Sequence, residues 1–229
     1  MKEDWLILFR FALAFVGLFG LAEVLFHLVK LKAEYTRKIV HVGTGFLTLL
    51  FPVYLSQFWQ VIVLCASFLL LLMLSMKLNF LPSINKVERE TSGSPAYPLA
   101  VVAVFGFFLF MKQYHVFDSL VYFFLPVLVM AIADPVAALA GQNWQERKRL
   151  AGGKSLVGTL AFFITAFIIA AVLLFAFNVN VNVLWLAAFS LVVAAATALV
   201  ERVSSHGWDN FTIPVTAAIL LYLLTLILL

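Results

Sequence analysis

Asp134 is the residue whose setting in this sequence points most directly to chemistry. It follows a long apolar run and stands in the segment ADPVAALAG, residues 133–141, among small residues. A charged side chain at membrane depth costs about 2.5 to 3.5 kcal/mol on insertion scales, so an intramembrane acid is expected to have a function. Gly141 lies seven positions later, roughly 10 Å of helix rise away. A phosphate-and-metal group held by the loop after Gly141 would reach Asp134; the competing interpretation is a buried partner for a Lys or Arg of the bundle.

The polar loop after Gly141 carries groups that bind phosphate. Its cations are Arg147, Lys148, Arg149 and Lys154, and Lys154 directly follows Gly152 and Gly153. Glycine lets backbone N–H groups approach phosphate closely, a following helix offers its N-terminal amides, and lysine adds a positive charge.

The segment GGKS at 152–155 is similar to the end of a P-loop. The full pattern needs a glycine five positions before Gly153, where Lys148 stands, and no apolar strand precedes it, so a soluble P-loop fold is excluded. Ser155 either joins the phosphate site or only caps the following helix. Gly158 and Thr159 extend a small, close-packed face.

A second group with chemical potential is Arg37, Lys38 and His41. Arg37 and His41 are four residues apart and share a helix face with Gly45. The two cations either bind phosphate or anchor a membrane helix at the interface. His41 lies one turn inside an apolar segment, where a hydrogen-bonded bundle histidine is the competing interpretation.

Two further groups of acids can hold a divalent cation. Glu201, Asp209 and Asn210 cluster with His206 between two apolar runs, although Asp209 could simply cap the next helix. Glu88 and Glu90 supply hard oxygens in another loop, with a solvated charge cluster as the alternative.

The elements that position these residues follow from composition. Of 229 residues, 65% are hydrophobic and 11% are charged, whereas a soluble domain has about 45–50% apolar and about 25% charged residues. The chain is therefore predicted to be one integral membrane domain, 1–229. The single cysteine, Cys65, excludes an intramolecular disulfide and is predicted to be a packed, apolar residue.

The apolar runs predict an all-α, polytopic bundle of about eight transmembrane helices. About 20 apolar residues span a bilayer, and these runs are far longer than a barrel strand requires. The predicted segments are near 5–28, 39–55, 58–76, 97–111, 120–141, 156–177, 183–200 and 211–228. The acidic start and long first run indicate a retained helix and not a cleaved signal.

The distribution of Lys and Arg predicts the orientation. The loops after the first, third, fifth and seventh segments hold twelve of the 15 cations: Lys30, Lys32, Arg37, Lys38, Lys77, Lys86, Arg89, Arg147, Lys148, Arg149, Lys154 and Arg202. Because positive loops face the cytoplasm, these loops are predicted to be cytoplasmic and both termini non-cytoplasmic. All the unusual residues then lie at the cytoplasmic face.

This combination suits a magnesium-bound nucleotide. Carboxylates hold the hard metal, while Lys, Arg and backbone amides neutralise the phosphates. The membrane setting suggests that the second reactant is a lipid whose head group lies at the interface.

Four motifs carry a family resemblance: RKIVHVGTG, then ADPVAALAG, then GGKSLVGTLA, then VE followed by DNFTIP. Together they resemble the membrane-embedded lipid-alcohol kinases, which include dolichol, phytol and farnesol kinases and the CTP-dependent diacylglycerol kinase. Phosphatidate cytidylyltransferase is a more distant resemblance. The resemblance implies phosphoryl transfer from a nucleoside triphosphate, usually CTP, to a lipid hydroxyl.

The resemblance also assigns residues to roles. It implies catalytic roles for Arg37, Lys38, His41, Asp134 and Lys154, Mg²⁺ binding by Asp134, Glu201 and Asp209, and nucleotide binding by Gly141, Gly152, Gly153, Lys154, Ser155, Gly158, Thr159 and Asn210. One departure from the family pattern is Asn143-Trp144-Gln145, where relatives often have another glycine. The nucleotide base therefore stays open.

The predicted function is a CTP-dependent kinase for polyprenol, phytol, farnesol or diacylglycerol, with no nucleic-acid partner, in a prokaryotic plasma membrane or, in a eukaryote, the endoplasmic reticulum. The alternatives are a cytidylyltransferase that makes a CDP-lipid and an ion-coupled transporter. A transporter would require inverted repeats, which the sequence does not display. The lipid, the general base and the oligomeric state stay open.

Overall fold

The computed structural model describes residues 2–85, 93–114, 118–143, 154–177, 179 and 182–229. Within these ranges the chain is helical and has no strand, which confirms the predicted all-α fold. The helices in chain order are α1 (Lys2–His27), α2 (Ala33–Thr48), α3 (Phe51–Tyr54), α4 (Phe58–Leu78), α5 (Pro82–Asn85), α6 (Gly93–Met111), α7 (Val121–Leu128), α8 (Asp134–Asn143), α9 (Leu156–Ala176), α10 (Val183–Val203) and α11 (Asp209–Leu228).

Each of the eight predicted segments coincides with one helix or with consecutive helices. In the described part of the chain, six helical stretches are long and apolar enough to cross a membrane: Lys2–His27, Phe58–Leu78, Val121–Gln142, Leu156–Ala176, Val183–Val203 and Asp209–Leu228. The apolar part of α6, Pro95–Met111, is shorter. The protein is thus a multi-pass membrane protein, while the total of about eight spans and the side of the termini stay predictions.

The stretch Val121–Gln142 lies at the centre of the bundle. In its most apolar 18 residues, 56% of the positions are buried, against 22–39% in the other five candidate spans. Those outer helices instead expose large apolar side chains, such as Phe9, Leu70 and Ile168, which suits contact with lipid. Because the central stretch is surrounded by other helices, an acid at position 134 faces protein and not the bilayer.

A π-helical turn, Val129–Ala133, interrupts this central stretch directly before Asp134. In a π-helix, the N–H of residue i+5 bonds to the carbonyl of residue i. For the Met130 carbonyl that residue is Pro135, which has no N–H. The His41 Nε2 atom lies 3.2 Å from this carbonyl oxygen, so the ring supplies the missing donor and ties α2 to the turn.

Helices α8 and α9 approach each other closely through glycine. A Cβ atom at Gly158 would lie 2.9 Å from the Ala137 carbonyl oxygen, and one at Gly141 would lie 2.6 Å from Ser155 Oγ. The Ser155 hydroxyl accepts a hydrogen bond from the Gly158 N–H at 3.0 Å, which confirms that it caps α9. This packing fixes Lys154, the residue before the cap, beside α8.

The short helix α5 is held against α1 and α2 by polar contacts. Glu23 accepts hydrogen bonds from the backbone N–H and the hydroxyl of Ser83 at 3.1 and 2.5 Å. Thr36 donates to the Ser83 carbonyl oxygen at 2.6 Å. These contacts fix α5 against α1 and α2.

Candidate active site

The predicted site residues come together around one cavity of about 1650 Å³. It opens where the start of α2, the end of α8, the start of α9 and the α10–α11 turn meet. All the predicted site residues that the structure describes line it: Arg37, Lys38, His41, Asp134, Gly141, Lys154, Ser155, Gly158, Thr159, Glu201, Asp209 and Asn210. Residues from four separate motifs therefore share one space, although their chemical roles stay predictions.

Several predicted residues lie outside the described ranges. Gly152 and Gly153 of the proposed phosphate loop are among them, as are the cations and acids of the two neighbouring loops: Lys86, Glu88, Arg89, Glu90, Arg147, Lys148 and Arg149.

Lys154 forms the electrostatic centre of the site. Its Nζ atom donates to Glu201 Oε1 at 2.5 Å and to Asp209 Oδ2 at 2.9 Å. Burial works against the charged form, but Asp209 and Glu201 outweigh it and raise the pKa of Lys154 above the usual range. Since Lys154 precedes α9, Glu201 lies in the last turn of α10 and Asp209 begins α11, one ammonium group links three helix ends.

The Asp134 carboxylate faces this centre without a direct partner. Among the described residues, none hydrogen-bonds to it or forms an ion pair with it, although Lys154, Asp209, Glu201 and Arg37 lie within electrostatic range. The alternative interpretation, a buried salt-bridge partner, is therefore not what these residues form. Asp134 is accessible through the cavity and available to a ligand.

A divalent cation would find oxygen ligands here, but no complete protein cage. Within the described ranges, no group of three or more His, Cys, Asp or Glu side chains is arranged to hold a metal, and the Lys154 ammonium lies between Glu201 and Asp209. Mg²⁺ is usually bound by one or two carboxylates together with substrate phosphates. Asp134, which has no direct partner in the part of the chain that the structure describes, fits that mode, with phosphate oxygens supplying further ligands.

Two residues that the sequence reasoning missed, Glu34 and Gln142, organise the cations of α2. The Glu34 carboxylate lies 3.7 Å from the Arg37 guanidinium and 3.3 Å from Lys38 Nζ. Gln142, on α8, donates to Glu34 Oε1 at 3.0 Å. The signal was present in the sequence, because Glu34 precedes Arg37 and Lys38 by three and four residues, the spacing of ion pairs on a helix.

His41 is a hydrogen-bonded bundle histidine and also a wall of the cavity. Its Nε2 atom must carry the proton, because the Met130 carbonyl oxygen can only accept. The aromatic ring of Tyr97 on α6 contacts it edge-on, with centroids 5.1 Å apart. Only Nδ1 is then left to act on a ligand.

The α10–α11 turn orients the last motif. His206 and Gly207 have positive φ angles of 55° and 85°, and this left-handed turn reverses the chain between Glu201 and Asp209. Asp209 is the first residue of α11, but its Oδ2 atom bonds Lys154. Capping of α11 therefore does not by itself explain the position of the Asp209 carboxylate.

Comparison with known proteins identifies the class to which this fold and site belong. Residues 3–206 match the cytidylyltransferase family, so the chain belongs to that family. It is similar to the phytol kinase of Synechocystis sp., with 34% identity over 202 residues, or 87% of this chain and 83% of the relative. No solved structure matches it. These relationships confirm the resemblance to CTP-dependent lipid kinases and support a membrane enzyme that acts as a nucleotide-dependent lipid kinase.

Proposed function

We propose that this protein transfers the γ-phosphoryl group of CTP to the hydroxyl of a lipid alcohol at the cytoplasmic face of a prokaryotic plasma membrane. The alcohol oxygen forms a bond to the γ-phosphorus, the bond from that phosphorus to the bridging oxygen breaks, and CDP leaves. The observation that carries the proposal is the shared cavity, which combines a cationic mouth, an Asp134 carboxylate without a direct partner among the described residues, and an apolar interior.

The cations hold the triphosphate. Arg37, Lys38 and Lys154 line the same mouth, where they neutralise phosphate charge in the ground state and as it redistributes in the transition state. Glu34 pairs with two of these cations, so a phosphate group would compete with the Glu34 carboxylate for them. The remaining nucleotide contacts come from Gly141, Gly152, Gly153, Ser155, Gly158, Thr159 and Asn210.

Asp134, with Glu201 and Asp209 nearby, would hold a Mg²⁺ ion that accompanies the nucleotide. The bound cation supplies positive charge that stabilises the departing phosphate oxygens. Asp134 is suited to this role because it has no direct partner among the described residues and lies on the central, mostly buried stretch of the bundle.

The group that receives the alcohol proton is a carboxylate or His41. In His41 only Nδ1 is available, because Nε2 donates to the Met130 carbonyl. A loose phosphoryl-transfer transition state needs little assistance from a base, so positioning and charge neutralisation supply most of the catalysis.

The test is phosphorylation of a panel of alcohols by purified protein in nanodiscs. With γ-labelled CTP or ATP and Mg²⁺, we expect label in phytol, farnesol, a polyprenol or diacylglycerol, and more from CTP than from ATP. Asp134→Asn removes the anionic ligand and is expected to lower the rate about a hundredfold or more, with insertion unchanged. Full activity of Asp134→Asn would reject the metal role, and no labelled alcohol would reject the kinase.

The description of the family favours one second candidate, a cytidylyltransferase that joins CMP to a lipid phosphate. The products separate the two reactions: the kinase releases CDP and a lipid phosphate, whereas the transferase releases pyrophosphate and a CDP-lipid. Similarity to a phytol kinase over most of both chains supports the first reaction. The transporter alternative gains no support from these relatives.

A further inference from the structure

The cavity does not end at the polar site but continues into the bundle. Beyond His41, its walls come from α1, α2, α3, α4 and α6, and they are apolar: Phe15, Phe19, Phe51, Leu64, Phe68 and Val101. Phe15, Phe51, Leu64 and Val101 are each less than 5% exposed, so these wall residues lie inside the bundle and not on its lipid-facing surface, and the space beside them is narrow.

The inner end of the cavity is closed by aromatic rings. Phe51, at the start of α3, is 2% exposed and lines the cavity. Phe11 packs edge-on against it with centroids 5.1 Å apart, and Phe15 packs at 6.2 Å. Phe51 stands ten positions after His41, roughly 15 Å at the helical rise, so the inner part has a bounded length.

The polar groups along this inner part do not make a second polar site. The Thr48 hydroxyl donates to the Thr44 carbonyl oxygen at 2.7 Å, inside its own helix. The Tyr97 hydroxyl makes no hydrogen bond shorter than 3.5 Å to the described residues. It stands one helix turn before Val101, between the mouth and the closed end.

We infer that this inner part is a chain-binding tunnel for the single hydrocarbon chain of an alcohol of the farnesol or phytol class, with Phe51 as the residue that limits chain length. In this inference, the position of the alcohol oxygen rests on the proposed kinase function. That oxygen lies at the mouth near Asp134 while the chain extends inward past Tyr97 and Val101. One closed, enclosed tunnel suits a single chain, and it does not suit the two chains of diacylglycerol or the length of a polyprenol.

Steric variants test the limit on chain length. Val101→Phe narrows the tunnel beyond Tyr97. It is expected to lower kcat/KM for phytol about tenfold or more relative to kcat/KM for farnesol, because the far part of the longer chain no longer fits in the tunnel. Phe51→Ala lengthens the tunnel and is expected to shift the preference towards longer alcohols. Leu99→Phe is the matched control, because Leu99 lies on the same helix but is 45% exposed, and it should leave the ratio unchanged. An unchanged ratio in both tunnel variants would overturn the inference.

A photoreactive alcohol separates this inference from the kinase proposal and does not depend on how the variants fold. A phytol analogue with a diazirine at its far end is expected to crosslink unmodified protein at Phe51 or Leu64. Crosslinks confined to exposed positions such as Leu70 or Met73 would place the chain in the bilayer and overturn the tunnel. Tunnel crosslinks without phosphorylation of any alcohol would instead reject the kinase function and leave the tunnel standing.

Discussion

At the residue scale, Lys154 has two proposed roles, and a second substitution at Glu201 can separate them. It neutralises the buried carboxylate of Glu201, which is 3% exposed, and that of Asp209, and it presents a positive charge to the cavity. Removing one partner from a buried ion pair leaves an uncompensated charge, at a cost of about 3 to 5 kcal/mol. If Lys154 binds phosphate as proposed, the stability of the site and its affinity for phosphate depend on the same ammonium group.

We expect Lys154→Met to lower both the melting temperature and the activity. Adding Glu201→Gln to that variant removes one of the two unpaired charges, so the melting temperature should partly recover while activity stays low. Thermal unfolding in detergent and labelled-CTP assays measure the two effects. Recovery of activity together with stability would mean that Lys154 is only a structural counter-ion.

At the element scale, the site depends on helices that approach closely at small residues. Gly45 on α2 lies against Ala131 of the π turn, where a Cβ atom would collide with the Ala131 side chain. Gly158 on α9 lies against the backbone of α8. The first contact brings His41 to Met130 and the second brings Lys154 to the cavity, so packing between helices sets the geometry of the polar groups.

Gly158→Val is expected to separate α8 from α9 and to lower the melting temperature and the activity together. The added Cβ would lie 2.9 Å from the Ala137 carbonyl oxygen, a backbone atom that cannot move without shifting α8. The matched control is Gly20→Ala on α1, where a Cβ meets nothing within 4 Å. Alanine there is expected to be neutral or to stabilise by up to about 1 kcal/mol. A fully stable, active Gly158→Val variant would contradict the close-packing role.

At the scale of the whole molecule, charge and site lie at the same end of the bundle. Five of the cations that the sequence predicts to be cytoplasmic line the cavity: Lys30, Lys32, Arg37, Lys38 and Lys154. CTP is a cytosolic molecule, so the predicted orientation and the proposed function require each other. An inverted protein would present its nucleotide site to the wrong compartment.

Cysteine labelling in intact cells tests this orientation. In a Cys65→Ser background, Ser56→Cys marks the turn between α3 and α4, and Ser205→Cys marks the α10–α11 turn; both positions are exposed. A membrane-impermeant maleimide is expected to label position 56 in intact cells, and position 205 only after permeabilisation. The reverse pattern would show that the termini are cytoplasmic.

The sequence by itself determined the helical membrane class, the approximate helix positions and the identities of the polar residues that meet. Local composition sets these features, because hydrophobic length fixes the spans and a charge inside an apolar run stands out wherever it occurs. The sequence alone also allowed two roles for several residues. Ser155 and Asp209 could cap helices or act in the site, and nothing local distinguishes the two.

Only the tertiary structure decided which residues pair. It joined Lys154 to Glu201 and Asp209, it left Asp134 without a direct partner among the described residues, and it used His41 to satisfy the Met130 carbonyl. It also revealed the enclosed apolar part of the cavity, whose phenylalanines and leucines look like ordinary membrane sequence. Hydrophobic periodicity carries no information on these features, because they arise from contacts between helices that are distant in the chain.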